Sequence, residues 1–452
     1  MERHALQAML VTFGAVFSQP LFQNFVVLVE GWIVAGMRAM TSTALTAHGD
    51  FPKHYVTYYR FFSEGAWRPD VLGAALLKLV LGLAPPGPLV VVVDDTLARK
   101  TGKNIWGANL HHDPLSWLSN ALAFGHNWVV LAIVIRVPLV ERAVAVPVFW
   151  RLYRSKKART GKTAGGKREL KTTGSTTDKD HRTRPELAVE LLHVLREALG
   201  DGRILRLVGD SAYGGKSITR HLPARTVCIS RLPMNAALYA MPSAPRPGQN
   251  GRPRKKGKRI AGPEKMAALT KGWRKATVRL YGKNVCVQYK TRVALWYNST
   301  GNAPVRAVVV RDPKGRRKDD AFFSTDPHMS VETILETYAQ RWSIEVAFRD
   351  SKQQLGFERS QARTRKAIER TGPFAFVTYT ITVAWFCRVG YCHYPELRIM
   401  PWYPHKRGPS FADMQTLLRQ EILCRGFSYT PENMHPFEKP NRANNHANKQ
   451  AA

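Results

Sequence analysis

Tyr338, Arg341, Glu345 and Lys352 place one carboxylate between two cations and a phenol. On a single helix turning about 100° per residue they share a stripe roughly 60° wide and about 21 Å long. Ile344, Phe348 and Leu355 run beside it and would seat the helix on a core. A stripe of that length can follow several phosphates of a nucleic-acid strand. The same spacing also allows a solvated salt-bridge face, because Arg341 to Glu345 and Glu345 to Arg349 are i,i+4 pairs. Two aspartates upstream favour the chemical arrangement.

Asp95 follows an apolar run at 89–93, and Asp210 follows another strand-like run at 203–208. Two carboxylates at the ends of neighbouring strands, with Glu345 on a helix alongside, can hold two Mg²⁺ ions about 3.5 to 4 Å apart, and Mn²⁺ can substitute. One ion activates a water or a 3′-hydroxyl and the other stabilises the leaving oxygen, while the cations around Glu345 keep the phosphate strand in line. Neighbours on a strand face opposite sides, so only one of Asp94 and Asp95 can be a ligand, and strand physics leaves that choice open. His111, His112 and His126 are read as structural, since hard Mg²⁺ prefers oxygen.

For carboxylates so far apart in sequence to meet, strands and a helix must carry them. Residues 1–85 read as helices, with Tyr55, Tyr58, Tyr59, Phe61 and Phe62 close together and apolar residues at helical spacing from 72 to 83. Pro85, Pro86, Gly87 and Pro88 end that pattern, and the valine-rich run that follows suits a strand buried on both faces. Strand candidates at 128–137 and 143–150 come next, then a basic loop at 154–184 with eleven Lys or Arg, a helix at 186–199 opened by Pro185, and the strand at 203–208. Three strands, a helix and a strand begin an α/β fold, a ribonuclease H-like mixed sheet with flanking helices. Residues 225–335 differ, with short β runs at 275–281, 285–289, 292–297 and 305–311 that make a β-rich insertion.

The expected division is therefore 1–85, an N-terminal helical domain; 86–225, the first part of the core; 226–335, the β-rich insertion domain; 336–395, the second part with the Glu345 helix; and 396–452, loop-rich and disordered from 431. Within the insertion, Gly251, Arg252 and Pro253 lie in a basic run at 245–259 that would sit extended in an A·T-rich minor groove, with Arg252 and Arg254 as contacts. Gly161, Lys162 and Thr163 lack the earlier glycine of a phosphate-binding loop, Lys156 standing there, so nucleotide binding is excluded.

Sixty-eight Lys and Arg against thirty-three Asp and Glu give a net charge of +35 over 452 residues, with a pI near 10.3. That balance points to a polyanionic partner, and the 44% hydrophobic content is ample for a core. Five scattered cysteines without a CxxC pair suggest neither a disulfide framework nor a zinc site. The apolar stretch 6–36 is interrupted by Pro20, Gln23, Asn24 and Glu30 and reads as a cytoplasmic helical segment rather than a signal peptide. Thr378, Thr380, Thr382 and Arg388 make 374–391 a buried core helix rather than a membrane span, so no membrane partner is expected.

Asp95-Thr96 after an apolar strand, Gly209-Asp210 after another, a β-rich insertion and the spacing Tyr338, Arg341, Glu345, Lys352 resemble the DDE transposases of bacterial insertion sequences with the Tyr-Arg-Glu-Lys signature. The aromatic opening at 22–67 is similar to one branch of that superfamily, and the likeness covers most of residues 10–390. The resemblance implies catalysis and metal binding by Asp95, Asp210 and Glu345, Asp95 being preferred over Asp94 because the family's first acid directly precedes a threonine. It implies phosphate contacts by Tyr338, Arg341 and Lys352, to which Arg349 is added, and DNA-end binding by the helices of 1–85.

The activity implied is metal-dependent cleavage at transposon ends and strand transfer into target DNA, cut-and-paste through hairpin ends. The partners are double-stranded DNA, as terminal inverted repeats and target, and a second copy of the chain in a paired-end complex, in the bacterial cytoplasm at the nucleoid. Some relatives stack a displaced base on a tryptophan of the insertion. The run 305–311 carries none, Trp296 is a loose candidate, and Trp342 is read as helix packing. The rival reading is a domesticated, transposase-derived DNA-binding protein without cleavage, against which the presence of all three acids argues. A stand-alone ribonuclease H-like nuclease would need no insertion of this size.

Overall fold

The computed structural model describes residues 5–49, 51–102, 104–113, 121–156, 161–163, 166–168, 180–243, 252, 254–394, 401 and 404–429. Much of the basic loop at 154–184, the centre of the 245–259 run and everything beyond 429 lie outside these residues. Five helices come first: α1 (Ala5–Val11), α2 (Gln19–Ala35), α3 (Thr41–His48), α4 (Tyr55–Ser63) and α5 (Pro69–Leu81). The strands β1 (Leu89–Arg99), β2 (Asn109–His112), β3 (Leu122–Arg136) and β4 (Ala143–Tyr153) follow, with a short hairpin of β5 (Gly161–Thr163) and β6 (Gly166–Arg168). Next are α6 (Arg184–Leu199), β7 (Leu205–Val208), α7 (Lys216–Thr219) and β8 (Thr226–Arg231).

The β-rich stretch holds β9 (Leu238–Tyr239), β10 (Arg259–Ile260), α8 (Pro263–Ala268), β11 (Arg274–Leu280), β12 (Lys283–Leu295), α9 (Tyr297–Thr300), β13 (Pro304–Arg311) and β14 (Asp320–Ser324). The chain closes with α10 (Val331–Ala339), α11 (Trp342–Gln354), α12 (Arg365–Thr371), α13 (Phe374–Arg388) and α14 (Phe411–Arg425).

Among the described residues twelve strands form one sheet, in the order β10-β9-β12-β13-β14-β8-β7-β1-β3-β2, with β11 added on β12 and β4 on β3. β1, β3 and β4 pair antiparallel, whereas β7 and β8 run parallel to β1, so the centre is the mixed sheet expected of a ribonuclease H-like fold. The strands read as an insertion continue that sheet through the antiparallel pair of β14 with β8. The reason β1 lies at the centre is chemical: Val91, Val92 and Val93 are fully buried, and a strand sealed on both faces needs apolar residues at consecutive positions.

α11 packs on β1 and β4, while α6 packs on β3 and β4. Thr183 caps α6 reciprocally with Glu186, which satisfies two orphan N–H groups at its start. The N-terminal helices dock on the same body, α5 against β4 and α2 against α13 and α14. Their aromatics interlock: the rings of Trp32 and Phe374 lie 5.1 Å apart and those of Phe61 and Trp67 also 5.1 Å. Residues 374–386 of α13 are all buried, as a core helix requires. Residues 19–38 form one helix long and apolar enough to cross a membrane, yet most of it is buried inside the fold.

Candidate active site

Neighbouring Asp94 and Asp95 of β1 turn to opposite faces, as strand alternation requires. Val92 pairs with Val208, the last pair of the parallel β1–β7 ladder, so Asp94 in β1 and Asp210 in the turn just beyond β7 come to the same end of the sheet, near enough for the Asp210 charge to act on Asp94. α11 covers the Asp94 face. From its N-cap, Arg341 donates to Asp94 Oδ2 at 3.0 Å and to Glu345 Oε1 at 2.7 Å, tying the first strand to the helix. Asp94 therefore faces Glu345 through a shared guanidinium. Burial first, and then the charges of Asp95 and Asp210, push the Asp94 carboxyl up to about 7 against the opposing pull of Arg341. Burial works against the charge of Arg341 too, but Asp94 and Glu345 outweigh it and hold the group above its ordinary range.

Asp95 turns to the opposite face, away from Glu345. Its Oδ1 accepts from the Tyr213 hydroxyl at 2.9 Å, its Oδ2 accepts from Asn127 Nδ2 at 2.8 Å, and Arg184 stands 3.6 Å away at the start of α6. Burial, followed by the charges of Asp95 and Asp94, raises the Tyr213 phenol well above its usual value, so it remains a donor. Tyr213, Asn127 and Arg184 were not singled out in the sequence. The one signal for Tyr213 is its place between Gly209-Asp210 and Gly214 in a tight turn.

Tyr338 and Arg341 do not sit on one helix with Glu345. α10 ends at Ala339, and Gln340 and Arg341 turn through short i to i+3 bonds before α11 begins, Arg341 N–H donating to the Tyr338 carbonyl at 3.0 Å. The single stripe is thus two segments meeting at a corner, because Gln340 and Arg341 close 3₁₀-type bonds where a continuous helix would close i to i+4 ones. The Tyr338 ring packs 4.7 Å from Phe322, and burial raises its phenol pKa. Lys352 reaches β1 instead of solvent, donating to the Leu97 carbonyl at 2.8 Å, with Glu358 at 3.6 Å. Arg349 pairs with its neighbour Asp350 at 2.8 Å rather than with Glu345. Arg252 and Arg254 are exposed and far along the chain from this cluster.

Trp342, expected to pack, is 51% exposed at the start of α11. The helix turns Ile344 and Phe348 inward and leaves Trp342 at the rim of a cleft of about 900 Å³ that Arg136, Arg279 and Arg317 also line. Trp296 lies against Phe323 at 5.0 Å. His126 is buried, pushed down to about 4 by that burial, and its Nε2 donates to the Trp106 carbonyl at 2.9 Å.

No three His, Cys, Asp or Glu side chains among the described residues lie close enough to form a ready metal cage. The donor set still fits a hard cation. Asp94, Asp210 and Glu345 supply only oxygen, and a carboxylate raised chiefly by burial, and further by Asp95 and Asp210, is a group that a divalent charge would return to its ionised form.

Asp94 on β1, Asp210 in the turn after β7 and Glu345 on the covering helix α11 thus stand on a mixed α/β sheet with flanking helices. The model of the DDE superfamily endonuclease family matches residues 17–285, more than half of the chain, and the chain belongs to that superfamily. Residues 294–384, which hold Glu345, match the model described as Archaeal putative transposase ISC1217, so the branch is that of the insertion-sequence DDE transposases. Among curated proteins none matches the chain.

Proposed function

We propose that this transposase cuts DNA at transposon ends and joins the freed ends to target DNA at a divalent-metal centre held by Asp94, Asp210 and Glu345. The observation that carries this reading is Arg341 linking Asp94 to Glu345, with Asp210 in the turn just beyond the neighbouring strand β7. It takes Asp94 in place of Asp95 as first acid, because Asp94 shares Arg341 with Glu345 whereas Asp95 meets Tyr213 and Asn127 on the far face. Two Mg²⁺ ions, or Mn²⁺, would there activate the attacking oxygen and stabilise the leaving one.

The residues of the chain do the positioning. Arg341 holds Asp94 and Glu345 together before DNA arrives and is the cation nearest the phosphate to be cut. Tyr338 stands beside Arg341, whose charge acts on its phenol. Lys352 keeps α11 docked on β1 and, with Arg349, lends positive potential to the strand path. Arg252 and Arg254 extend that path to a minor groove, and the helices of 1–85 serve as the end-binding domain. A cut-and-paste course through hairpin ends, in a homodimer that pairs two ends, is the form of the reaction this reading favours, and its setting is the bacterial cytoplasm at the nucleoid.

The test is cleavage of a duplex bearing the element's terminal repeat. Nicks that expose a 3′-hydroxyl at the end are expected with Mg²⁺ or Mn²⁺ and none with a chelator present. Cutting that persists in the chelator would remove the metal centre from the account.

A further inference from the structure

Asp95 has no role in the reading above, although it is a charged side chain beside the first acid and has both oxygens engaged. Its main partner belongs to the turn that carries the second acid. Asp210 caps that turn, its Oδ1 accepting from Ala212 N–H at 2.9 Å and its carbonyl from Tyr213 N–H at 3.1 Å. The turn is wedged into place. A Cβ on Gly209 would stand 2.6 Å from Tyr213 Cβ and 3.0 Å from Val93 Cγ1, and one on Gly214 would stand 2.6 Å from Ser230 Oγ. Ser230 itself donates to the Asp210 carbonyl at 2.7 Å. The Tyr213 ring thus runs beneath the turn and its hydroxyl ends on Asp95 of β1, whose second oxygen Asn127 of β3 holds.

We propose that Asp95 and Tyr213 are positioning residues: their hydrogen bond ties the Asp210 turn to β1 and so sets the separation of Asp94 and Asp210. The inference rests on Asp94 and Asp210 acting as the metal-holding pair. A buried tyrosine on the far face then governs a carboxylate on the reactive face, as outer partners do for metal ligands in general.

Tyr213→Phe removes the hydroxyl and keeps the buried ring. In the variant bound to end DNA, Mn²⁺ affinity measured by electron paramagnetic resonance should weaken roughly ten-fold. The DNA dissociation constant should stay unchanged, and cleavage should recover to near the wild-type rate at saturating metal. Asp95→Ala, which leaves the Tyr213 hydroxyl no acceptor at this position, should weaken Mn²⁺ similarly, and the double variant no more than the worse single, because all three break one link. Wild-type Mn²⁺ affinity in both single variants would overturn the proposal. If Asp94→Asn loses the metal while these variants keep it, the link alone falls; if Asp94→Asn also keeps it, the assignment of the metal pair falls with it.

Discussion

Asp94→Asn is expected to lower end cleavage by at least about 10³-fold while leaving end binding near wild type. A neutral amide cannot supply the charge of a metal-holding carboxylate, and losing electrostatic stabilisation at a reacting phosphate is of that order. Asp95→Asn is expected to cost only roughly 10- to 100-fold, most of it recovered at high metal, because its carboxylate meets Tyr213 and Asn127 on the other face. Measured side by side by single-turnover nicking, the two variants separate neighbours that a sequence motif treats alike. The reverse order, Asp95→Asn inactive and Asp94→Asn active, would return the first acid to the position the resemblance implied.

Arg341→Ala should have the next largest effect, and for two reasons. The guanidinium bridges Asp94 and Glu345 with little exposure of its own side chain, so its loss leaves two acids facing each other without a cation. It is also the cation closest to the cluster. Nicking is therefore expected to fall about 10²- to 10³-fold. The plot of log K against log salt should flatten by about 0.9 for a lost phosphate contact on duplex DNA. An unchanged slope, with stability lowered instead, would make Arg341 a brace between the acids and no more. Lys352→Ala serves as a comparison, since its ammonium already donates to the Leu97 carbonyl and should change the slope less.

The parts of the fold visible in the sequence were those with strong local signals. The valine run before Asp94 gives a strand, Pro185 gives the start of a helix, and the apolar stretch at 374 gives a core helix. What escaped depends on contacts between distant segments. No local pattern says that β14 pairs with β8 and so extends the central sheet. The break between α10 and α11 was missed because Gln340 and Arg341 are ordinary helix formers, and only the backbone bonds show the tightened turn. Trp342 was misjudged for a different reason: within α11 it lies about 160° round from Ile344, away from the buried face. For the acids, alternation stated the alternatives, and which aspartate shares a face with Glu345 depends on Arg341, whose contact with Asp94 joins segments far apart in the chain.

Iron-directed cleavage of the polypeptide tests the central claim most directly. Fe²⁺ bound in place of Mg²⁺, given peroxide and ascorbate, generates radicals that cut the backbone beside the metal's own ligands. With end DNA bound, the account predicts three sets of fragments with new ends near residues 94, 210 and 345, all suppressed by excess Mg²⁺. Fragments ending elsewhere, for instance near His111 and His112, or cuts at one of the three acids without the others, would contradict a metal centre shared by Asp94, Asp210 and Glu345.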